Sequence, residues 1–287
     1  MGEVRENSTS EEKAAPRYRV LAGFGSIADE LPTIDTAMAL ARALEADIAG
    51  CFVKDVDLLN LAGLPFAKAM RPADRTVLKL EREHMERQIS RAAANWERML
   101  HAKASRSSVR CSYKITKGAY SAEIARETEA TDIVVVNPLN LPHKPRDAVS
   151  LLLREVNEAM GAVIMPERCE WRAGGPIVLL MHDTEADQLV MGLARRIARA
   201  VGNEVVILMV DVDEENHRES RDAVAGIFGP DADVRYVRET RFGSVAAELA
   251  ELQPSLVIVQ PSASSPTDAA IELLLKSGRA PLMLVLR

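Results

Sequence analysis

Apolar blocks and helix-period stripes alternate along almost the whole chain. A short apolar run at 18–23 breaks at Gly23-Phe24-Gly25-Ser26, which predicts a strand leaving into a loop. Ile34, Met38, Ala41 and Leu44 then recur at spacings of four and three, the period of a helix over 31–46. A strand is expected at 48–53, followed by a loop at 55–72 with room for a short helix. From about 74 to 103, Leu78, Met85, Ala92 and Met99 recur every seven residues, with Ile89 and Trp96 between them, and predict one long helix. That stripe suits a coiled-coil seam or a face laid on a sheet. Only about three heptads support a seam, so the sheet is the expected partner. Val109, Cys111, Tyr113 and Ile115 alternate along a strand at 109–116, and a helix at 121–129 follows. The block Ile133-Val134-Val135-Val136 shows no polar alternation, as a central parallel strand requires. A helix at 146–160 and a strand at 162–165 complete this half.

The second half repeats the order in fewer residues. Strands are expected at 177–181, 204–210, 234–237, 256–259 and 282–286, with helices at 186–200, 215–228, 244–252 and 267–276. The repeat is also legible residue by residue. Gly118-x-x-x-Ala122-Glu123-Ile124-Ala125 reappears as Gly243-x-x-x-Ala247-Glu248-Leu249-Ala250. Each copy then runs through an apolar strand into a polar residue and a proline, Asn137-Pro138 and Gln260-Pro261. Strands alternating with helices over short loops predict parallel sheets covered on both faces, with ligands beyond the carboxyl ends of the strands. The expected fold class is therefore α/β. Two tandem doubly wound, mainly parallel five-stranded sheets at 17–168 and 176–287 would be related by a pseudo-two-fold. Residues 1–16 are polar and charged without an apolar core, which reads as a disordered leader and not as a secretory signal.

Composition removes several function classes. A net charge of -6 gives no electrostatic case for nucleic acid, and 4% aromatic residues give no base-stacking platform. No apolar run approaches the roughly 18–20 residues that span a bilayer. Three scattered cysteines (Cys51, Cys111, Cys169) form no disulfide framework, and the odd count fits a reducing, cytoplasmic setting. The five histidines form no metal-ligand cluster. Ser26 and Ser244 follow glycines but sit in no nucleophile elbow, and no phosphate-loop lysine motif is present. No catalytic residue is assigned, and a non-enzymatic protein is expected.

Val20-Leu21-Ala22-Gly23-Phe24-Gly25-Ser26, the Gly-x-x-x-Ala-Glu helix starts, the Asp132-Ile-Val-Val-Val strand and the apolar closing strand after Pro281 together resemble the universal stress protein family. The resemblance runs over nearly the whole chain after Pro16, as two fused copies. It implies a nucleotide loop of the form Gly-x-x-Gly, nine residues, then Gly-Ser or Gly-Thr. In such a loop glycines let backbone amides approach phosphate. Laid on the first half, those positions are Asn137, Asn140, Ser150 and Leu151, while Pro138, Pro142 and Pro145 remove amide donors. In the second half they fall on Gln260, Ala263, Leu273 and Leu274, so both loops are degenerate.

The family's aspartate at the end of the first strand is Phe24 here, whereas His182-Asp183 holds that place in the second half. The candidate ligand positions are thus His182, Asp183, Gly243 and Gln260. Because the partner loop is missing, Asp183 reads first as the cap of the helix beginning near Glu185, and Gly118 and Gly243 read as turn glycines with positive φ. The resemblance implies a stress-response scaffold or regulator that has lost ATP binding and needs no cofactor. The alternative is a module that still binds ATP, AMP or another small ligand at one half. It also implies closing strands that pair antiparallel within one chain. Homodimerisation through the long helix and an unidentified regulatory protein partner complete the expectations.

Overall fold

A computed structural model of the protein describes residues 18–25, 29–64, 68–70, 77–79, 81–140, 145–166, 174–181, 188–210, 217–238, 243–260, 274–275 and 279–286. The expected leader at 1–16, the pair His182 and Asp183, and most of the expected helix at 267–276 lie outside the described residues.

The first half opens with β1 (Arg19–Phe24), α1 (Leu31–Ala43), β2 (Asp47–Asp55) and α2 (Val56–Ala62). It continues through β3 (Lys68–Met70), β4 (Val77–Lys79), α3 (Arg82–Arg106), β5 (Cys111–Gly118) and α4 (Tyr120–Glu127). It closes with β6 (Asp132–Val136), a 3-10 turn at Pro138–Asn140, α5 (Pro145–Glu155) and β7 (Gly161–Ile164). The second half contributes β8 (Ile177–Met181), α6 (Gln188–Val201), β9 (Val205–Val210), α7 (His217–Phe228), β10 (Asp233–Val237), α8 (Gly243–Leu252), β11 (Leu256–Val259) and β12 (Leu282–Val285).

The ten long strands form one sheet in the order β10-β9-β8-β11-β12-β7-β6-β1-β2-β5. Within each half all neighbours are parallel, and the in-half order is the same: third, second, first, fourth, fifth. The halves meet where β7 and β12 pair antiparallel, with Ile164 opposite Leu282 and Gly161 opposite Val285. The two five-stranded parallel halves are as expected, and the expected antiparallel pairing of their closing strands joins them into one continuous sheet, because both strands are wholly apolar edges and pairing them satisfies both rows of backbone groups. A Cβ on Gly161 would lie 2.8 Å from the Leu284 carbonyl oxygen, so a glycine allows this close pairing.

Strand side chains alternate between two apolar layers. Val20, Ala22 and Phe24 belong to the layer that holds α1, α3, α6 and α7, whereas Leu21, Val134 and Val136 belong to the layer that holds α4, α5 and α8. Burial of these strands on both faces explains their unbroken apolar runs.

The long helix differs from its expected bounds. It starts at Arg82, and Leu78 belongs to β4, which pairs antiparallel with β3. The β-branched Val77 favours an extended strand over a helical start. The remaining stripe does lie on the sheet. Ile89, Ala93, Leu100 and Ala104 are buried, and Met85, Ala92, Trp96 and Met99 pack half-buried against the same layer. The turn expectation for two glycines is also corrected. Gly118 ends β5 without a positive φ, and Gly243 is the first residue of α8. Among the described residues Gly202 and Gly229 are the glycines with positive φ. Gly118 is instead small because a Cβ there would come within 2.5 Å of the Glu123 carboxylate.

Candidate functional site at the strand ends

The carboxyl ends of β1 and β6 form the crevice where a doubly wound sheet offers a ligand site. In the first half the chain's own side chains fill it. β1 runs out at Phe24, whose ring is fully buried and stacks on Tyr113 at a centroid separation of 6.0 Å. Gly25 then turns the backbone so that its N–H donates to Glu30 Oε1 at 3.0 Å. Glu30 is the residue before α1 and has no solvent exposure. Thr33 Oγ1 donates to its other oxygen at 2.9 Å, and the Asn140 amide also donates to Oε1. Two glycines make this packing possible. A Cβ on Gly25 would meet the Asn140 side chain at 2.3 Å, and one on Gly23 would meet the Tyr120 hydroxyl at 2.7 Å.

Asn137 and Asn140, expected at phosphate-loop positions, have structural roles here. Asn140 is buried as the lid on Glu30. Asn137, also buried, accepts from the Leu139 N–H at 3.0 Å and donates to the Asp29 carbonyl at 3.5 Å. Ser150 lies in α5. Backbone amides that could have faced a phosphate are committed to Asn137 and Glu30 instead. In the second half Gln260 follows β11 and is half-buried, and Gly243 opens α8.

Electrostatics follow from that burial. Desolvation raises Glu30 to about 7 against an ordinary 4.5, even though the donors from Gly25, Asn140 and Thr33 pull the other way. The Tyr120 phenol is held well above its usual range, chiefly by burial. Its hydroxyl makes no hydrogen bond of normal geometry, although Asn140 is close enough to ease the shift. Burial also pushes the Cys51 thiol up to about 11, so it is protonated at neutral pH and is not a nucleophile. Among the described residues no group of three His, Cys, Asp or Glu side chains could hold a metal ion, and no helix is long and apolar enough to cross a membrane.

Sequence reasoning identified Asn137 and Asn140 as positions but missed Glu30. The available signal was an acidic pair, Asp29-Glu30, immediately before Leu31-Pro32 at a helix start.

Comparison with models of known protein families gives no match, and none of the curated proteins is similar in sequence. Solved structures do share the architecture. A universal stress protein from Archaeoglobus fulgidus superposes with a TM-score of 0.60 at 12% identity, over 93% of this chain and 97% of that one. A putative universal stress protein from Pseudomonas aeruginosa gives 0.61 at 12% identity, over 94% and 93%. The cytoplasmic domain of a prokaryotic cation chloride cotransporter gives 0.53 at 11% identity, over 93% and 94%. The protein is an α/β protein with the universal stress protein fold. At these identities the likeness is one of fold.

Proposed function

We propose that this protein is a non-enzymatic stress-protein-type module, a scaffold or regulator whose first-half nucleotide site has been converted into core. The observation that carries this reading is the buried Glu30–Asn140 contact at the carboxyl ends of β1 and β6. A buried carboxyl group, its oxygens already taken by donors from Gly25, Thr33 and Asn140, occupies the strand-end crevice, and among the described residues it leaves no cation there for a phosphate. Phosphate binding at such loops depends on charge-assisted amide contacts of roughly 1.5–3 kcal/mol each. Here the Gly25 and Leu139 amides serve Glu30 and Asn137. The module needs no cofactor and works through an unidentified protein partner, in the cytoplasm, with self-association as a further property.

A second reading keeps adenine-nucleotide binding in the second half, near Asp183 and Gln260. It is favoured by Ala263, which stands where the first half has Asn140 and cannot form the same lid. Mass spectrometry of the denatured purified protein and titration with Mg-ATP test the two. No co-purified nucleotide and no ATP binding at the strand ends are expected. Tight Mg-dependent binding that Asp183→Asn abolishes would replace the first reading with the second.

A further inference from the structure

α1 and α6 pack against each other where the two halves meet. Arg196 fixes the contact: its guanidinium donates to the Leu44 carbonyl at 2.7 Å and lies over the Tyr18 ring at 5.7 Å. Beside it, α6, α7 and the end of α1 border an open cleft of about 430 Å³ lined by Glu45, Gly192, Arg195, Arg196, Arg199 and Ile227, with alanines between them. The cleft lies at the far end of α1 from Glu30, so it is separate from the strand-end crevice.

Three features single it out. First, α6 carries three arginines and no acidic residue in a chain of net charge -6. Second, Arg195 and Arg199 stand one helical turn apart on one face, where like charges repel. Neither makes an ion pair or side-chain hydrogen bond among the described residues, and Glu45 is the single carboxylate in the lining. Arg199 in the last turn also complements the helix dipole, but Arg195 lies a turn earlier and gains little from it. Third, Gly192 sits inside α6, where a Cβ would meet nothing within 4 Å. Packing does not require a glycine there, and glycine weakens a helix relative to alanine. Close approach of another molecule to the helix backbone gives it a purpose.

We propose that this inter-half cleft binds a phosphorylated small molecule, with Arg195 and Arg199 as the fork that takes the phosphate. Guanidinium groups match phosphate oxygens in paired hydrogen bonds, and two unneutralised ones at helical spacing can grip one phosphate from two sides. The volume falls within the roughly 300–1,000 Å³ of small-molecule sites and exceeds what a bare phosphate fills. Ile227 and the alanines offer apolar contact to the organic part, and the open backbone at Gly192 lets it lie flat. The first half closes one side of the cleft with Ala43 and Glu45.

Calorimetric titration of the full chain with AMP and with pyrophosphate tests this, the two probes separating an organic phosphate from an inorganic anion. AMP is expected to bind more tightly than pyrophosphate. Arg195→Gln and Arg199→Gln should each weaken it about tenfold, the value of one charged hydrogen bond. Gly192→Leu should keep or raise helix content by circular dichroism while abolishing AMP binding. Asp183→Asn should leave it unchanged, which separates this cleft from the second-half strand-end site. Absence of binding by either probe, or affinity unaffected by the arginine substitutions, overturns the proposal. Equal affinity for pyrophosphate and AMP also overturns it, by assigning the cleft to an inorganic anion. Loss of binding in Asp183→Asn alone would move the ligand to the strand ends and overturn it as well.

Discussion

The fourth strands of the two halves, Asp132–Val136 with Asn137 and Leu256–Val259 with Gln260, occupy equivalent places in the sheet but are anchored by different chemistry. At the start of β6, Asp132 is fully buried and takes both Arg19 Nε at 2.7 Å and Nη2 at 2.6 Å, plus the Glu129 N–H at 2.8 Å. At the start of β11 the corresponding Ser255 accepts from Asn203 Nδ2 at 3.0 Å and donates to the Pro176 carbonyl at 3.3 Å. At the other end Asn137 is buried and bonded inward, whereas Gln260 is half-exposed. The first half has put ionic and amide groups into its interior, and the second meets the same positions with neutral groups, Ser255 equally buried and Gln260 nearer to solvent. A repeat therefore preserves the apolar strand and leaves the polar ends free to diverge, because packing constrains the former and only local bonding the latter.

Removing the buried acid should show this contrast most strongly. Asp132→Ala removes the buried acceptor of Arg19 and of the Glu129 N–H. Arg19 is partly exposed and keeps Glu129 and the Glu127 carbonyl, so the cost should be about 3 kcal/mol, the low end for breaking a buried pair. Ser255→Ala removes neutral bonds and should cost about 1 kcal/mol. Urea unfolding of both variants measures the difference, and equal losses would refute it.

The next effect is a pH dependence confined to the first half. Burial raises Glu30, so the folded chain keeps that proton up to about 7, whereas the unfolded chain releases it near 4.5. The stability this proton contributes is full below about 4.5 and is lost as pH rises through 7. The loss should be roughly 2–3 kcal/mol. Glu30→Gln, neutral at every pH, should flatten that window in chemical denaturation series, and an unchanged slope would place the proton elsewhere.

Taking away the lid over Glu30 is a smaller perturbation. Asn140→Ala removes one donor from a buried carboxyl and opens space, costing about 1–3 kcal/mol. The loss should be greater above pH 7 than below it, because the ionised carboxylate needs the donor more. Thermal melts at two pH values check this.

The smallest effect compares the outer crossovers. In both halves a tyrosine on the third strand donates to the backbone of the helix that precedes it. Tyr113 bonds the Ala93 carbonyl at 3.0 Å, and Tyr236 bonds the His217 carbonyl at 2.8 Å. Tyr113→Phe and Tyr236→Phe should each cost about 0.5–1.5 kcal/mol, despite helices of 25 and 12 residues beneath them. A large difference between the two would show that the longer helix changes what the bond is worth.

Much of the fold was legible in the chain. The apolar runs from Ile133 to Val136 and from Ile177 to Met181 could only be buried parallel strands, and they are. The stripe through Met85, Ile89, Ala92, Trp96 and Met99 marked the sheet-facing side of α3, although its most buried residues also include Ala93, Leu100 and Ala104. The β3–β4 hairpin was not legible, since Leu78 fell by chance on the heptad of the following helix. The candidate site was half legible. Missing glycines at Asn137 and Asn140 marked a changed loop, but their bonds to Glu30 and Asp29 join residues more than 100 positions apart.

The sequence by itself determined the alternation of strands and helices, the doubling of that order, and which strands lie in the middle, because hydrophobic period depends only on neighbours in the chain. Only the tertiary structure decided the register in which β7 meets β12, with Ile164 opposite Leu282 and Gly161 opposite Val285. It alone decided that Glu30 is sealed beneath Asn140 and that Arg195 and Arg199 face a cleft shared with α1 and α7. Those outcomes depend on which surfaces meet in space, and burial and hydrogen bonding are set by partners that no local pattern specifies.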